Sequence, residues 1–311
     1  MSDPFDLGVA ARFLSPDPDI RRVLLLEAAD YGEEYRDLFL AAAQDAAPAV
    51  RLEAARALEG DPSPEVLRAL VALLADSDDE VRAAAAAALG ELQAPEAAPI
   101  LLASLEGASD FGKAALLAGL RKLRTPETFE PALAALDSSD PALRREAIGA
   151  LAWLQDARAL PALAACATSD VDPELRRAAV GALGFSADAK TSAALAAALR
   201  DSDWQVREQA AATLAKTRDR AGLAALIAAL DDDFWQVRLR AAQALGALGD
   251  ASAAQAIAAQ LRHPVANLRK EAAYALFALK ARETLPALRA ALEDSDIEVR
   301  KAAGRAIEAI G

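Results

Sequence analysis

The chain is poor in the residues that do most enzymatic chemistry. Its 311 residues include one histidine and one cysteine. A lone Cys166 cannot close an internal disulfide, so nothing calls for an oxidising compartment. Set in an Ala-Leu stretch, Cys166 reads as a small buried hydrophobe. The only histidine, His263, precedes Pro264 and has no second histidine or cysteine to complete a metal set or a nucleophile–base pair. There is no glycine-rich phosphate loop and no Gly-x-Ser-x-Gly elbow. We therefore expect no catalytic residues, no metal site and no cofactor.

Aromatics are equally scarce, at 5%, although hydrophobic residues reach 54%. The difference is alanine. Alanine favours helices and lets them approach closely, but it fills little volume, so thin helical layers suit this composition better than a thick core. Positive charge is also in deficit: 34 Lys and Arg face 47 Asp and Glu, for a net charge of −13. Nucleic-acid binding draws its affinity from cations laid against phosphates, so nucleic acid is excluded as a partner, as is an acidic membrane surface. A basic protein or peptide is the partner this charge suits. No uncharged apolar run is long enough to span a bilayer, and the acidic, Pro-broken N-terminus lacks the pattern of a signal peptide. The expected location is the cytoplasm.

What the chain has in abundance is repetition. Val81-Arg82 followed by AAAAAALG returns as Val206-Arg207 with EQAAATLA, Val237-Arg238 with LRAAQALG, Leu268-Arg269 with KEAAYALF and Val299-Arg300 with KAAGRAIE. The basic residue falls at Arg21, Arg51, Arg82, Lys113, Arg144, Arg176, Arg207, Arg238, Arg269 and Arg300, a nearly constant interval. Each repeat reads as two helices. The second starts at an N-capping aspartate (Asp78, Asp140, Asp172, Asp203, Asp296) or at a proline (Pro48, Pro141, Pro173). It continues with Val, Ala and Leu at i, i+4 and i+8 on one apolar face. Gly90, Gly184 and Gly246 are read as its end. The first helix is the Leu/Ala run before each acidic turn, opened by Pro99, Pro131, Pro161 or Pro286.

This repeat, P-x-L-x-x-L-x-D-x-x-x-x-V-R-x-x-A-A-x-A-L-G, resembles the short HEAT repeat of the phycobilin-lyase type over roughly positions 15 to 311. The resemblance implies an all-α fold: an α-solenoid (superhelix) of about ten two-helix HEAT-like repeats, each of about 31 residues. The second helices would line a concave groove. Residues 1–44 form N-terminal capping helices and an atypical first repeat, bearing Phe5, Phe13, Tyr31, Tyr35 and Phe39. Residues 45–311 form one continuous array. The lack of catalytic chemistry, with such a groove, points to a non-catalytic scaffold or adaptor that holds a partner protein or peptide in the groove. Two alternatives come with the repeat: a phycobilin-lyase-like protein that attaches a tetrapyrrole, and an immunity or chaperone protein for a secreted toxin.

The regular charges are weighed first. Ten cations at one position could form a stripe for an anion. The structural reading, in which each arginine pairs with turn aspartates such as Asp76, Asp201, Asp232 or Asp294, explains them more simply, since each has acidic residues close upstream. The irregular residues remain as the candidate partner-binding site. Trp204 and Trp235 sit one repeat apart in matched Trp-Gln-Val-Arg phrases beside Gln205 and Gln236, with Phe234 next to the second. Either they are an exposed anchor of the kind that dominates interfaces, or each packs over the adjacent turn. Gln243 and Tyr274 stand at one end of a row whose middle is alanine and glycine, and Arg145 and Arg177 border it. The small residues admit a partner's backbone, or serve helix propensity alone.

Overall fold

The computed structural model describes residues 4–311. Among the described residues there are twenty α-helices and ten short 3-10 segments, with no strand. The chain divides into two compact units of helical repeats, the first ending at Leu154 and the second beginning at Gln155.

The repeat pattern becomes packing directly. Val81, Ala85 and Leu89 line one face of the Asp79–Gly90 helix and are fully buried. Val206, Ala210 and Leu214 do the same in Trp204–Thr217, and Val237, Ala241 and Leu245 in Trp235–Leu248. Within each compact unit the second helices pack on those of the next repeat, so burial is a sum of nearest-neighbour contacts. Alanine at the middle position lets the helices close up.

The starts of the second helices follow from chemistry. Asp78, Asp172, Asp203 and Asp296 cap them by accepting N–H groups of the first turn, and Asp140 accepts from Ala142. Pro48, Pro141 and Pro173 are first helical residues, where no N–H is needed. Most first helices enter through a 3-10 turn, which Asp156, Asp219 and Asp250 cap in three repeats, whereas Pro64–Leu73 and Ala189–Ala198 start directly.

The ends agree with the sequence reading only in part. Gly90 closes its helix as expected, but five other second helices stop at a left-handed residue, Arg124, Gln155, Arg218, Gly249 or Lys280, with φ between 52° and 69°. Only one of the five is glycine, so the usual signal is absent. Gly246 lies inside its helix, where a Cβ would come within 3.0 Å of Ala275 Cα on the neighbouring helix. Gly119 has the same role, with its would-be Cβ 2.9 Å from the Leu89 carbonyl oxygen.

At the N-terminus, Phe39 is buried and the rings of Tyr31 and Tyr35 meet edge to face at 5.8 Å. The side chain of Phe5 lies outside the described residues. No helix among the described residues is long and apolar enough to cross a membrane.

Candidate functional site

The arginine ladder is a set of staples. Arg51 Nε and Nη2 donate to both oxygens of Asp76, at 2.6 and 2.7 Å, and Arg51 Nη1 donates to the Asp45 carbonyl at 2.8 Å. Arg21 with Asp45, Arg176 with Asp201, Arg207 with Asp232 and Arg269 with Asp294 repeat that two-point pairing. The arginine's own turn supplies a backbone carbonyl, just upstream. The carboxylate comes from the turn of the next repeat. The upstream acids expected as partners are thus already bound to the preceding arginine, and the ladder ties repeats together. Each receiving aspartate also accepts the N–H of the residue two positions on, as Asp76 does from Asp78 at 2.9 Å and Asp201 from Asp203 at 2.8 Å.

Arg51, opposed by burial, holds the Asp76 carboxyl below its usual range, and Arg269 does the same for Asp294. A carboxylate with a depressed folded pKa contributes stability above its unfolded pKa of about 3.9, and that stability is lost as pH falls through the folded value. The expected result is a thermal midpoint flat from neutrality to about pH 5 that drops steeply below about pH 4. Circular dichroism melts across that range check it.

The predicted aromatic pair is arranged differently from a Trp–Trp stack. Trp204 and Trp235 are each the first residue of a second helix and half-buried. The ring lying on Trp204 is that of Phe234, parallel within 7° at a centroid separation of 5.3 Å. Phe234 remains 42% exposed. The Arg207 guanidinium sits 5.7 Å from the Phe234 ring centre while paired to Asp232, and Asp232 accepts the Phe234 N–H at 2.9 Å. The staple therefore fixes the aromatic stack in place. Gln205 and Gln236 beside it are half-buried, and their side-chain amides make no hydrogen bond among the described residues.

Gln243 joins a polar row across three successive second helices. Arg240 Nε donates to Glu208 at 3.1 Å, Arg240 Nη1 to Gln243 at 3.1 Å, and Gln243 Nε2 to Glu271 at 3.0 Å. Tyr274 lies half-buried on the last of these helices. Arg177 is exposed and paired with Glu174. Arg145 is exposed and belongs to the first unit, whereas the other predicted binding residues belong to the second.

The glycine floor is not bare. Arg121, bonded to Glu146 at 2.9 Å, lies against Gly149, with its Nη1 2.8 Å from where a Cβ would stand. The Gln209 amide covers Gly181 in the same way at 3.4 Å. The chain's own long side chains fill these hollows. What the sequence reading missed is a cavity in the first unit lined by Leu105, Asp110, Lys113 and Ser138. The signal for it was present: Lys113 is the one lysine in a ladder of arginines.

A model of HEAT repeats matches residues 36–118, 112–184, 191–276 and 256–311. The chain belongs to the HEAT-repeat family, with the all-α solenoid fold of that family. An engineered protein of known crystal structure is similar at a TM-score of 0.56 and 20% identity, over 97% of this chain and 98% of its own. The karyopherin Kap121p gives a TM-score of 0.62 at 16% identity over 98% of this chain. Kap95p, in a structure describing its binding to RanGDP, gives 0.65 at 15% identity over 99%. This chain spans 41% of the Kap121p chain and 50% of the Kap95p chain. At these identities the likeness is one of fold. No curated protein sequence matches this one.

Proposed function

We propose that this protein is a non-catalytic scaffold that grips a partner protein or peptide through the second unit, anchored on Trp204, Phe234 and Trp235. The observation that carries the reading is the Trp204–Phe234 stack, rigidly held by Arg207 and Asp232 yet exposed on Phe234. A preorganised aromatic pair loses little entropy on binding and offers the surface from which interface hot spots are made. The free amides of Gln205 and Gln236 supply hydrogen bonds at its rim. Kap121p, a karyopherin of similar fold, has been solved bound to the extreme C-terminus of the protein phosphatase Cdc14p and to Nup53p. The net charge of −13 favours a basic partner, of which a basic secreted toxin met by an immunity or chaperone protein is one form. The cytoplasm suits a chain with a single thiol.

Affinity capture followed by titration of the purified partner tests this. Trp204→Ala with Phe234→Ala is expected to weaken binding by at least about tenfold, the scale of a lost hot spot, with the helical circular dichroism signal retained. Unchanged affinity removes the site. If the chain acts as a phycobilin-lyase-like protein, purified protein takes up a linear tetrapyrrole, and that result would replace the scaffold reading.

A further inference from the structure

The ladder has one complete gap. In every repeat but one the cationic residue donates to a carbonyl of its own turn: those of Ser15, Asp45, Asp76, Ser138, Asp170, Asp201, Asp232, His263 and Asp294. The exception is Lys113, whose counterpart carbonyl is Gly107 and whose ammonium makes no hydrogen bond or ion pair among the described residues. The counterpart of Asp76, where aspartate would receive the guanidinium, is Ser138. Its hydroxyl keeps the capping half of the aspartate's role, accepting the Asp140 N–H at 3.0 Å, but it carries no charge. Gly107, where Arg82 would find its own carboxylate, has φ of +77°, a conformation aspartate would adopt only under strain.

Space opens where the staple is missing. A cavity of about 510 Å³ lies between the two turns, walled by Leu105, Leu117 and Leu143. Three carboxylates, Glu106, Asp110 and Asp137, line it against the single ammonium of Lys113. Apolar walls for an alkyl stem and surplus negative charge for a cationic head are the chemistry of an arginine side chain, which is what occupies this position in every other repeat.

We propose that this cavity receives an arginine side chain from a partner protein, completing in trans the staple the chain leaves unmade. The planar guanidinium suits it better than an ammonium, because it can bond two carboxylates at once while its stem lies on the leucines. The inference shares with the proposed function the premise of a protein partner but concerns a different surface. Its test uses a blocked amino acid, so the two readings fail separately.

The probe is N-acetyl-arginine methylamide, titrated into the full chain and followed by nuclear magnetic resonance shifts, with N-acetyl-norleucine methylamide and N-acetyl-glutamate methylamide as neutral and anionic controls. Saturable shifts at Leu105, Leu117 and Leu143 are expected for the arginine probe alone, with Kd of order millimolar. Lys113→Arg with Ser138→Asp rebuilds the staple in cis; it should raise the thermal midpoint and weaken the probe at least about fivefold. Glu106→Gln with Asp137→Asn changes only exposed side chains and should weaken it similarly, which keeps the test decisive if the rebuilt staple folds poorly. Absence of arginine binding, equal binding to wild type and Glu106→Gln/Asp137→Asn, or preferential binding of the glutamate probe would each overturn the proposal.

Discussion

Replacing Asp201 with alanine is expected to cost about 2–4 kcal/mol of stability, far more than removing a surface charge. The cost comes from what is left behind. Arg176 is only 13% exposed in its side chain, and without Asp201 its guanidinium keeps its carbonyl bonds to Asp170 and Val171 but loses the carboxylate that pairs with it at two points. The substitution also strips the Asp203 N–H of its acceptor, a lost turn hydrogen bond of about 1 kcal/mol within that total. Asp201→Asn separates the two losses, since an amide oxygen can still accept the N–H but brings no charge. It should fall between alanine and wild type. The matched control is Asp79→Ala: Asp79 also pairs with a ladder arginine, Arg82, but its side chain is 89% exposed and the expected loss is below about 0.5 kcal/mol. Urea midpoints followed by circular dichroism measure all three. If Asp201→Ala and Asp79→Ala shift the midpoint equally, the staple is an ordinary surface ion pair.

The same contrast shows why the sequence disclosed some of this molecule and hid the rest. Repeat length, helix pairing and the buried Val-Ala-Leu face were legible because they are local: a fixed period and a spacing of i, i+4, i+8 are read along the chain. N-caps such as Asp78 and Asp203 were legible for the same reason, their targets lying within the next turn. The partner of Arg51 was not legible, because Asp45 and Asp76 are both acidic and only the packing of one turn on the next decides which carboxylate meets the guanidinium. Phe234 rather than Trp235 stacks on Trp204 for a comparable reason. Phe234 stands on the turn at the helix entrance, held by its N–H to Asp232, so its ring is presented to the preceding repeat. The covering of Gly149 by Arg121 depends on a rotamer, to which composition is blind. The left-handed helix ends at Arg124, Gln155, Arg218 and Lys280 escaped because none of these residues is the glycine or asparagine that ordinarily marks that conformation. Lys113 and Ser138 were visible as departures from a pattern, but their meaning needed the pattern's geometry.

Glycine makes the most direct test of helix packing, because one substitution should have opposite signs at two sites. In an open helical position, Gly→Ala gains about 0.5–1 kcal/mol by restricting the unfolded chain and improving helix propensity. Gly304, inside the Ile297–Ile310 helix, is such a position: a Cβ there would meet only Leu292 Cδ2 at 3.9 Å, an ordinary contact. Gly304→Ala should therefore stabilise. Gly119, inside the Asp110–Leu123 helix, has the same intrinsic gain available, but its Cβ would stand 2.9 Å from the Leu89 carbonyl oxygen and 3.4 Å from Leu101 Cδ1. The obstacle is backbone of the neighbouring second helix, which cannot rotate away as a side chain would. Accommodating one methyl means parting two packed helices that carry the buried Ala85, Leu89, Leu116 and Leu120. Overpacking of this kind costs about 1–3 kcal/mol, which exceeds the propensity gain, so Gly119→Ala should destabilise. Gly119→Leu, which adds a branched side chain against the same carbonyl, should cost more, about 3 kcal/mol or above. Thermal and urea midpoints for the three variants decide the matter. A stabilising Gly119→Ala would mean that the helices can separate freely at this point, and the close-packed account of this alanine-rich core would fall with it.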